Sequence, residues 1–125
     1  MTGYVRVTNK RWHSPVKPDE DEVVIDVDRS NPVLGNKHVL GNANDAAERE
    51  RVIEAYRRDL ERDLAAQGPM ARAVAEIAQR VFSGEKVCLN CWCAPRACHG
   101  DVIAARVMDM VATMDVRVRP SASLR

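Results

Sequence analysis

Aromatic side chains are scarce in this sequence: only 4% of the residues are Phe, Trp or Tyr. A folded core must therefore consist mainly of aliphatic side chains and alanine. Long apolar runs are also missing, since no stretch approaches the roughly 20 residues that cross a bilayer. The formal net charge is only +1, which leaves no overall field to attract nucleic acid or an anionic membrane, although a local basic patch remains compatible with it.

The composition that remains is typical of a soluble globular protein. Hydrophobic residues make up 46% and charged residues 30% of the chain, which excludes a disordered polyelectrolyte. A length of 125 residues suffices for one core but not for two. We expect one domain over residues 1–119, with an exposed loop at 9–22 and a flexible tail at 120–125. Because residues 1–6 lack the apolar centre of a signal peptide, we also expect a cytoplasmic protein with reduced cysteines.

The order of predicted elements favours a small α/β fold. The predicted strands cover residues 4–8, 23–27, 86–92 and 115–119, and the predicted helices cover residues 45–67, 70–82 and 98–114. The second strand is almost continuously apolar, which predicts burial on both of its faces. We therefore expect a sheet of about four strands covered by three helices.

Cysteine is concentrated in one short segment. Residues 91–101 read CWCAPRACHGD and hold three of the four cysteines, while Cys88 lies just upstream. The segment connects the third predicted strand to the third predicted helix, so the site is expected at this strand-to-helix junction. Ligands of open α/β sheets bind at such carboxyl ends of strands. The tryptophan of the segment, Trp92, is expected to be a packing residue.

The spacing of these cysteines is compatible with a metal. Strand alternation places Cys91 and Cys93 on one face and Cys88 on the other. Together with Cys98 and His99 they can supply the four ligands of tetrahedral zinc, and an iron–sulfur cluster is a second metal alternative. Neighbouring residues of a helix point about 100° apart, so Cys98 and His99 can share a metal only if Cys98 precedes the regular helix.

The same residues also support chemistry without a metal. The amino end of a helix stabilises a thiolate, so Cys98 is a candidate nucleophile with His99 as its acid or base. Arg96 is positioned to hold an anion. Two further alternatives stay open: the cysteines are small core residues, or Cys88 and Cys91 form a redox pair, against which their opposite strand faces argue.

A polar loop at residues 28–42 is the second candidate region. Arg29 and Ser30 directly follow the second strand, so they are expected at the same edge of the sheet. Arg29 can clamp a phosphate or carboxylate, and Asn36 follows a glycine that exposes backbone donors. The alternative is an ordinary surface turn, and we expect His38 to be a solvated residue of it.

The cysteine segment resembles a known signature. Residues 91–103 are similar to the pattern C-W-C-A-P-x-x-C-H-G-D-V-L of a family of phage and bacterial proteins, domain of unknown function 4326. Residues 50–57, ERVIEAYR, resemble its E-x-V-I-x-x-Y-R segment. The upstream loop resembles its R-P-S-x-x-G-N-P segment more loosely, since Lys37 replaces the proline and Leu34 replaces a tryptophan. The resemblance extends over residues 23–111 and implies a phage or bacterial cytoplasmic protein, with a common site formed by the cysteine motif and the Arg-Ser loop.

Two functional hypotheses follow. In the first, the protein binds or processes a nucleotide-like or phosphorylated small molecule, with Cys98 thiolate or zinc-activated water as the attacking group. The ligand-binding residues of this hypothesis are Arg29, Ser30, Asn36 and Arg96, the catalytic residues are Cys98 and His99, and the metal ligands are Cys91, Cys93, Cys98 and His99. In the second, structural zinc stabilises a non-enzymatic module that binds a host protein or nucleic acid. Neither hypothesis involves a membrane, and the oligomeric state stays open.

Overall fold

The computed structural model describes residues 3–9, 20–38, 41, 45–92 and 98–118. Its elements are β1 (Tyr4–Asn9), β2 (Glu22–Asp26), α1 (Ala46–Ala66), α2 (Pro69–Phe82), β3 (Lys86–Cys91) and α3 (His99–Val118). The α/β class predicted from the sequence is confirmed. Among the helices of the described residues, none combines the length and the apolar character that crossing a membrane requires.

The sheet is parallel, and its strand order is β1-β3-β2. Within the described residues it has three strands, so the prediction of a fourth strand at 115–119 is wrong. Residues 115–118 instead continue α3. Alternating valines suggested a strand there, but the first helix breaker that follows Gly100 is Pro120. A helix without a stop signal continues as long as its residues tolerate it.

One face of the sheet forms the core with the helices. Val87, Leu89 and Cys91 of β3 belong to the same buried cluster as residues of α1, α2 and α3. Apart from Tyr56, the hydrophobic side chains that are buried in the described residues are aliphatic or cysteine. This agrees with the aliphatic core expected from the low aromatic content. The helices therefore hold the sheet through one face.

The other face of the sheet carries polar and exposed residues. Arg6, Cys88 and Val24 lie side by side in one row of the register, and Val24 is 46% exposed. The prediction that the second strand is buried on both faces is therefore wrong. β2 is an edge strand, whereas the central strand β3 has a neighbour on each side and is buried from Val87 to Cys91.

Local signals explain where the helices begin and end. Asp45 caps α1, since its carboxylate accepts the backbone N–H of Glu48 at 3.1 Å. Gln67 ends α1 in a left-handed conformation, and Pro69 then starts α2 at a position that needs no N–H donor. Gly84, at φ 103°, makes the turn into β3. These positions agree with the predicted boundaries of the first two helices.

Candidate ligand cavity and thiol pair

Buried polar residues collect where the parallel strands end. Thr8 and Asn9 are the last two residues of β1, and Asn90 is the second-last residue of β3. Asp28 and Asn36 follow β2, and His99 begins α3. Of the buried polar residues in the described part of the chain, all except Glu22 lie near this carboxyl edge. Buried polar groups cost free energy unless they are paired, so this edge is built differently from the rest of the core.

A cavity of about 370 Å³ opens at this edge. We call it the carboxyl-end cavity. Its lining residues are Asp28, Arg29, Asn36, His38, Arg49, Val52, Ile53, Trp92, Cys98 and His99. The volume lies in the range of about 300–1,000 Å³ that small-molecule sites occupy. The lining combines two arginines and one carboxylate with an indole and two aliphatic side chains.

Asp28 organises the mouth of the cavity. One of its carboxylate oxygens accepts the hydroxyl of Ser30 at 2.5 Å, and the other accepts the indole Nε1–H of Trp92 at 2.7 Å. The side-chain amide of Asn9 donates to the carbonyl of Trp92 at 2.9 Å. Trp92 is nevertheless 54% exposed, so the expectation of a packing residue is wrong. Its indole is held at one edge while much of its surface faces outward.

His99 is oriented by two neighbours. Its Nε2 lies 2.5 Å from the carbonyl oxygen of Val27, and because a carbonyl only accepts, Nε2 carries a proton. The ring of Tyr56 packs against the imidazole, with centroids 5.0 Å apart. The Tyr56 hydroxyl donates to the carbonyl of Leu34 at 2.7 Å. Burial raises the pKa of Tyr56, so this hydroxyl stays a donor and connects α1 to the loop after β2.

Cys91 and Cys98 form a pair of thiols. Their Sγ atoms are 3.0 Å apart, and the residues are only 1% and 3% exposed. Cys98 directly precedes α3, and its backbone N–H donates to the Asp101 carboxylate at 3.0 Å, which caps the helix. The condition that Cys98 must precede the regular helix in order to share a metal with His99 is therefore met.

A second cavity lies on the other side of Cys98, between α1 and α3. Its volume is about 380 Å³, and it shares Ile53 and Cys98 with the carboxyl-end cavity. Two arginines, Arg57 and Arg106, and three carboxylates also line it, and Arg106 forms ion pairs with Glu61 and Asp109. Cys98 therefore lies between two cavities, although little of its surface is exposed.

Cys88 has different surroundings from the thiol pair. It lies on the opposite face of β3, in the same row of the sheet as Arg6. The Arg6 guanidinium donates to both oxygens of Glu22, at 2.8 and 2.9 Å. Burial raises the pKa of the Cys88 thiol to about 11. Because the thiolate is the reactive form, these surroundings disfavour reaction at Cys88.

The predicted metal site is described only in part. Cys91, Cys98 and His99 lie at one junction, but Cys93 lies outside the described residues. Among the residues that are described, no group of three or more His, Cys, Asp or Glu side chains is arranged to hold a metal ion. Arg96, predicted to hold an anion, also lies outside them. Zinc and an iron–sulfur cluster thus stay predictions.

The structure brings some predicted ligand-binding residues together and separates others. Arg29 and Asn36 line the carboxyl-end cavity, along with the predicted catalytic residues Cys98 and His99. Ser30 does not line it; its hydroxyl and its N–H both bind the Asp28 carboxylate instead. This is the local Asx turn that an Asp-x-Ser sequence favours.

Sequence reasoning missed six lining residues: the aliphatic Val52 and Ile53, and the polar or aromatic Asp28, His38, Arg49 and Trp92. His38 was expected to be solvated, but its Nε2 contacts the Asp59 carboxylate at 2.6 Å, which lowers the pKa of Asp59. Asp28 was detectable, because it directly follows the second predicted strand. Arg49 was not, since it belongs to a charged helix whose other arginines face solvent or form ion pairs along the surface.

Comparison with known proteins gives a family but no activity. No curated protein and no solved structure matches the chain significantly. A family model, domain of unknown function (DUF4326), matches residues 7–109, which is most of the chain and includes β2, β3, α1, α2 and the beginning of α3. The family predicted from the sequence is thereby confirmed, and the chain belongs to the DUF4326 family.

Proposed function

We propose that the protein binds a small anionic ligand with an aromatic ring, of the nucleotide class, in the carboxyl-end cavity. The observation that carries this proposal is Trp92. Its indole is fixed through Nε1 by Asp28 at 2.7 Å and is still 54% exposed at the rim of the cavity. Exposing a large aromatic surface is unfavourable, and a fixed exposed indole offers a ready surface on which a base can stack.

The charges of the lining favour an anion. Arg29 and Arg49 reach the cavity from the loop after β2 and from α1. Arginine binds phosphate through two parallel N–H donors. The one carboxylate of the lining, Asp28, already accepts hydrogen bonds from Trp92 and Ser30. A phosphate near the arginines and a ring on Trp92 would together use both kinds of surface.

Chemistry on the bound ligand would involve the floor of the cavity. Cys98 and His99 lie there, next to one another at the beginning of α3. Cys98 is the candidate nucleophile because a helix amino end stabilises thiolate. His99 is the candidate acid or base, and its orientation is set by Val27 and Tyr56. We assign these roles as part of the proposal.

The test is a calorimetric titration with the ribonucleoside monophosphates and, separately, with inorganic phosphate. We expect at least one nucleotide to bind more tightly than phosphate. Trp92→Ala should weaken nucleotide binding by about 1–3 kcal/mol, or about 5- to 150-fold, whereas Trp92→Phe should retain most of the affinity. Arg29→Ala should weaken nucleotides and phosphate alike and lower the salt dependence, with little change in melting temperature.

An exposed aromatic residue at the other end of the sheet provides the control. Tyr4 begins β1, is 38% exposed and does not line the cavity, so Tyr4→Ala should leave nucleotide affinity unchanged. Binding of phosphate alone, with no gain from a base, would contradict the aromatic part of the proposal. An unchanged affinity in Trp92→Ala, or no binding of any probe, would contradict the whole.

A second candidate is a zinc-stabilised module that binds a host protein or nucleic acid. The contact from His99 Nε2 to the Val27 carbonyl favours it, because histidine ligands commonly donate their second nitrogen to a carbonyl. The sulfur positions favour it less. Two thiolates on one tetrahedral zinc lie about 3.8 Å apart, given Zn–S bonds of about 2.3 Å, whereas Cys91 and Cys98 are 3.0 Å apart.

Elemental analysis of the untagged protein decides between the candidates. The zinc candidate predicts about one zinc per chain and its loss in Cys93→Ser. A chain that is free of zinc and still binds a nucleotide would support the first proposal and contradict the zinc candidate. Zinc without nucleotide binding would favour the structural module.

A further inference from the structure

We propose that Cys91 and Cys98 form a disulfide when the protein meets a hydroperoxide, which makes the pair a site of reversible oxidation. The two Sγ atoms are already 3.0 Å apart. Cys91 ends β3 and Cys98 precedes α3, so both thiols belong to the edges of regular elements. The inference needs no bound ligand and therefore stands apart from the proposed function.

Cys98 is the thiol that meets the oxidant. It borders both cavities. Both are large enough to admit hydrogen peroxide, which is only slightly larger than water. Its place before a long helix stabilises the thiolate. Cys91 is 1% exposed and borders neither cavity, so it is shielded from the oxidant but adjacent to the sulfur that reacts.

The reaction takes place in two steps. The Cys98 thiolate attacks one peroxide oxygen, the O–O bond breaks, and the leaving hydroxide takes a proton to become water. The product is the sulfenic acid of Cys98. The sulfur of Cys91 then attacks the sulfur of Cys98 and loses its proton, while the S–O bond breaks and releases a second water. In sum, two thiols lose two electrons, and one hydrogen peroxide is reduced to two waters.

Cys88 is excluded by its position. It lies three residues before Cys91 on the opposite face of β3, where Asn90 and Arg6 are its neighbours. The raised pKa of its thiol also keeps it protonated at neutral pH. The sulfurs of Cys88 and Cys91 therefore do not meet while β3 stays paired on both sides.

The disulfide would change the carboxyl-end cavity. It would join β3 covalently to the beginning of α3, and the Cys98 sulfur would no longer be available as a nucleophile. Both effects occur at the floor of the cavity that Trp92 and Arg29 border. A dithiol reductant would reverse them.

The test uses the full-length protein after treatment with a chelator and one equivalent of hydrogen peroxide. Thiols counted after denaturation should fall from four, the number of cysteines, to two. Trypsin should release residues 87–96 and 97–106 joined to each other, because the chain has an arginine at 96. Fragmentation of the joined peptide should place the bond between Cys91 and Cys98.

Three variants separate the alternatives. In Cys91→Ala the joined peptide should vanish, and dimedone should trap a sulfenic acid on Cys98. In Cys88→Ala and in Cys93→Ala the joined peptide should persist. The wild-type fragmentation gives the same answer if Cys91→Ala does not fold. A bond from Cys98 to Cys88 or Cys93, a bond between two chains, or four thiols remaining after peroxide would overturn the proposal.

Discussion

The two ends of the parallel sheet differ in how closely they are packed. At the amino end, the backbone closes tightly: a Cβ on Gly3 would lie 1.8 Å from the carbonyl oxygen of Glu85, and Lys86 pairs with Asp21 at 3.0 Å. At the carboxyl end, the strands lead into loops, buried polar side chains and an open cavity. The difference teaches that the first end is closed by tight backbone packing, whereas the second end leaves the cavity in which we propose that a ligand binds.

The polar residues of the carboxyl end are satisfied rather than stranded. In the part of the chain that the structure describes, every buried side-chain nitrogen and oxygen has a hydrogen-bond partner. A network of this kind contributes less to stability than apolar packing of the same volume would. Its position at the edge where parallel sheets bind ligands therefore supports the proposed binding site.

The largest effect is expected from breaking the ion pair between Arg6 and Glu22. The Glu22 side chain is almost fully buried, and the Arg6 guanidinium neutralises it. Removing one partner of a buried ion pair is costly, so Arg6→Ala should lower the free energy of unfolding by about 3 kcal/mol. Denaturation with urea measures this loss. Arg6→Lys, which keeps the charge, should lose less.

The difference between the two ends also predicts that Arg6→Ala leaves ligand binding unchanged. Because Arg6 lies three residues before the carboxyl end of β1 and does not line the carboxyl-end cavity, nucleotide affinity measured below the melting temperature should equal that of the wild type. A folded Arg6→Ala protein with strongly weakened binding would contradict the separation of the two ends.

A smaller effect is expected at the carboxyl end. Asp28→Ala removes the acceptor of both the Trp92 indole and the Ser30 hydroxyl. We expect a loss of about 1–3 kcal/mol in unfolding free energy and a more mobile indole, seen as a lower heteronuclear NOE of its Nε1–H. The control is Glu20→Ala, an exposed carboxylate that precedes β2, which should change both quantities less. Equal effects of the two variants would count against a special role for Asp28.

The effect that is smallest at neutral pH concerns the Cys88 thiol. The pKa of Cys88 is raised to about 11 by burial, so the folded state keeps this proton more tightly than the unfolded state, whose thiol has a pKa of about 8.5. The stability that Cys88 contributes is complete below that value and is lost as pH rises through about 11. Unfolding free energy should therefore fall less between pH 8 and 11 in Cys88→Ala than in the wild type. Parallel curves would show that the thiol is not shielded.

Much of the fold could be predicted from local signals. The limits of α1 and α2 follow from Asp45, Gly68-Pro69 and Gly84, because caps and helix breakers act on their immediate neighbours. The prediction of a fourth strand failed because alternation over a few residues does not distinguish a strand from the end of a helix. The prediction that the second strand is buried on both faces failed because an edge position depends on the strand order, which no local pattern contains.

Most of the predicted residues that line the cavity lie close to the end of an element, and Asn36 was predicted from the Gly-Asn turn of the loop after β2. Arg29, Cys98 and His99 stand at strand or helix ends, so topology alone brought them to one edge. Arg49 and the exposure of Trp92 depend on how α1 and the loop after β2 pack against each other. That packing rests on contacts between residues distant in sequence, such as Tyr56 with Leu34 and His99.

The central claim is that the carboxyl end of the sheet is the binding end. The most direct measurement is a series of ¹H–¹⁵N NMR spectra recorded while the nucleotide that binds best is added. The account predicts that the shifted signals belong to the Trp92 indole, to residues 28–38 and to the beginning of α3, while the signals of Glu22 and Lys86 stay in place. Shifts concentrated at the amino end, or spread evenly over the molecule, would contradict it.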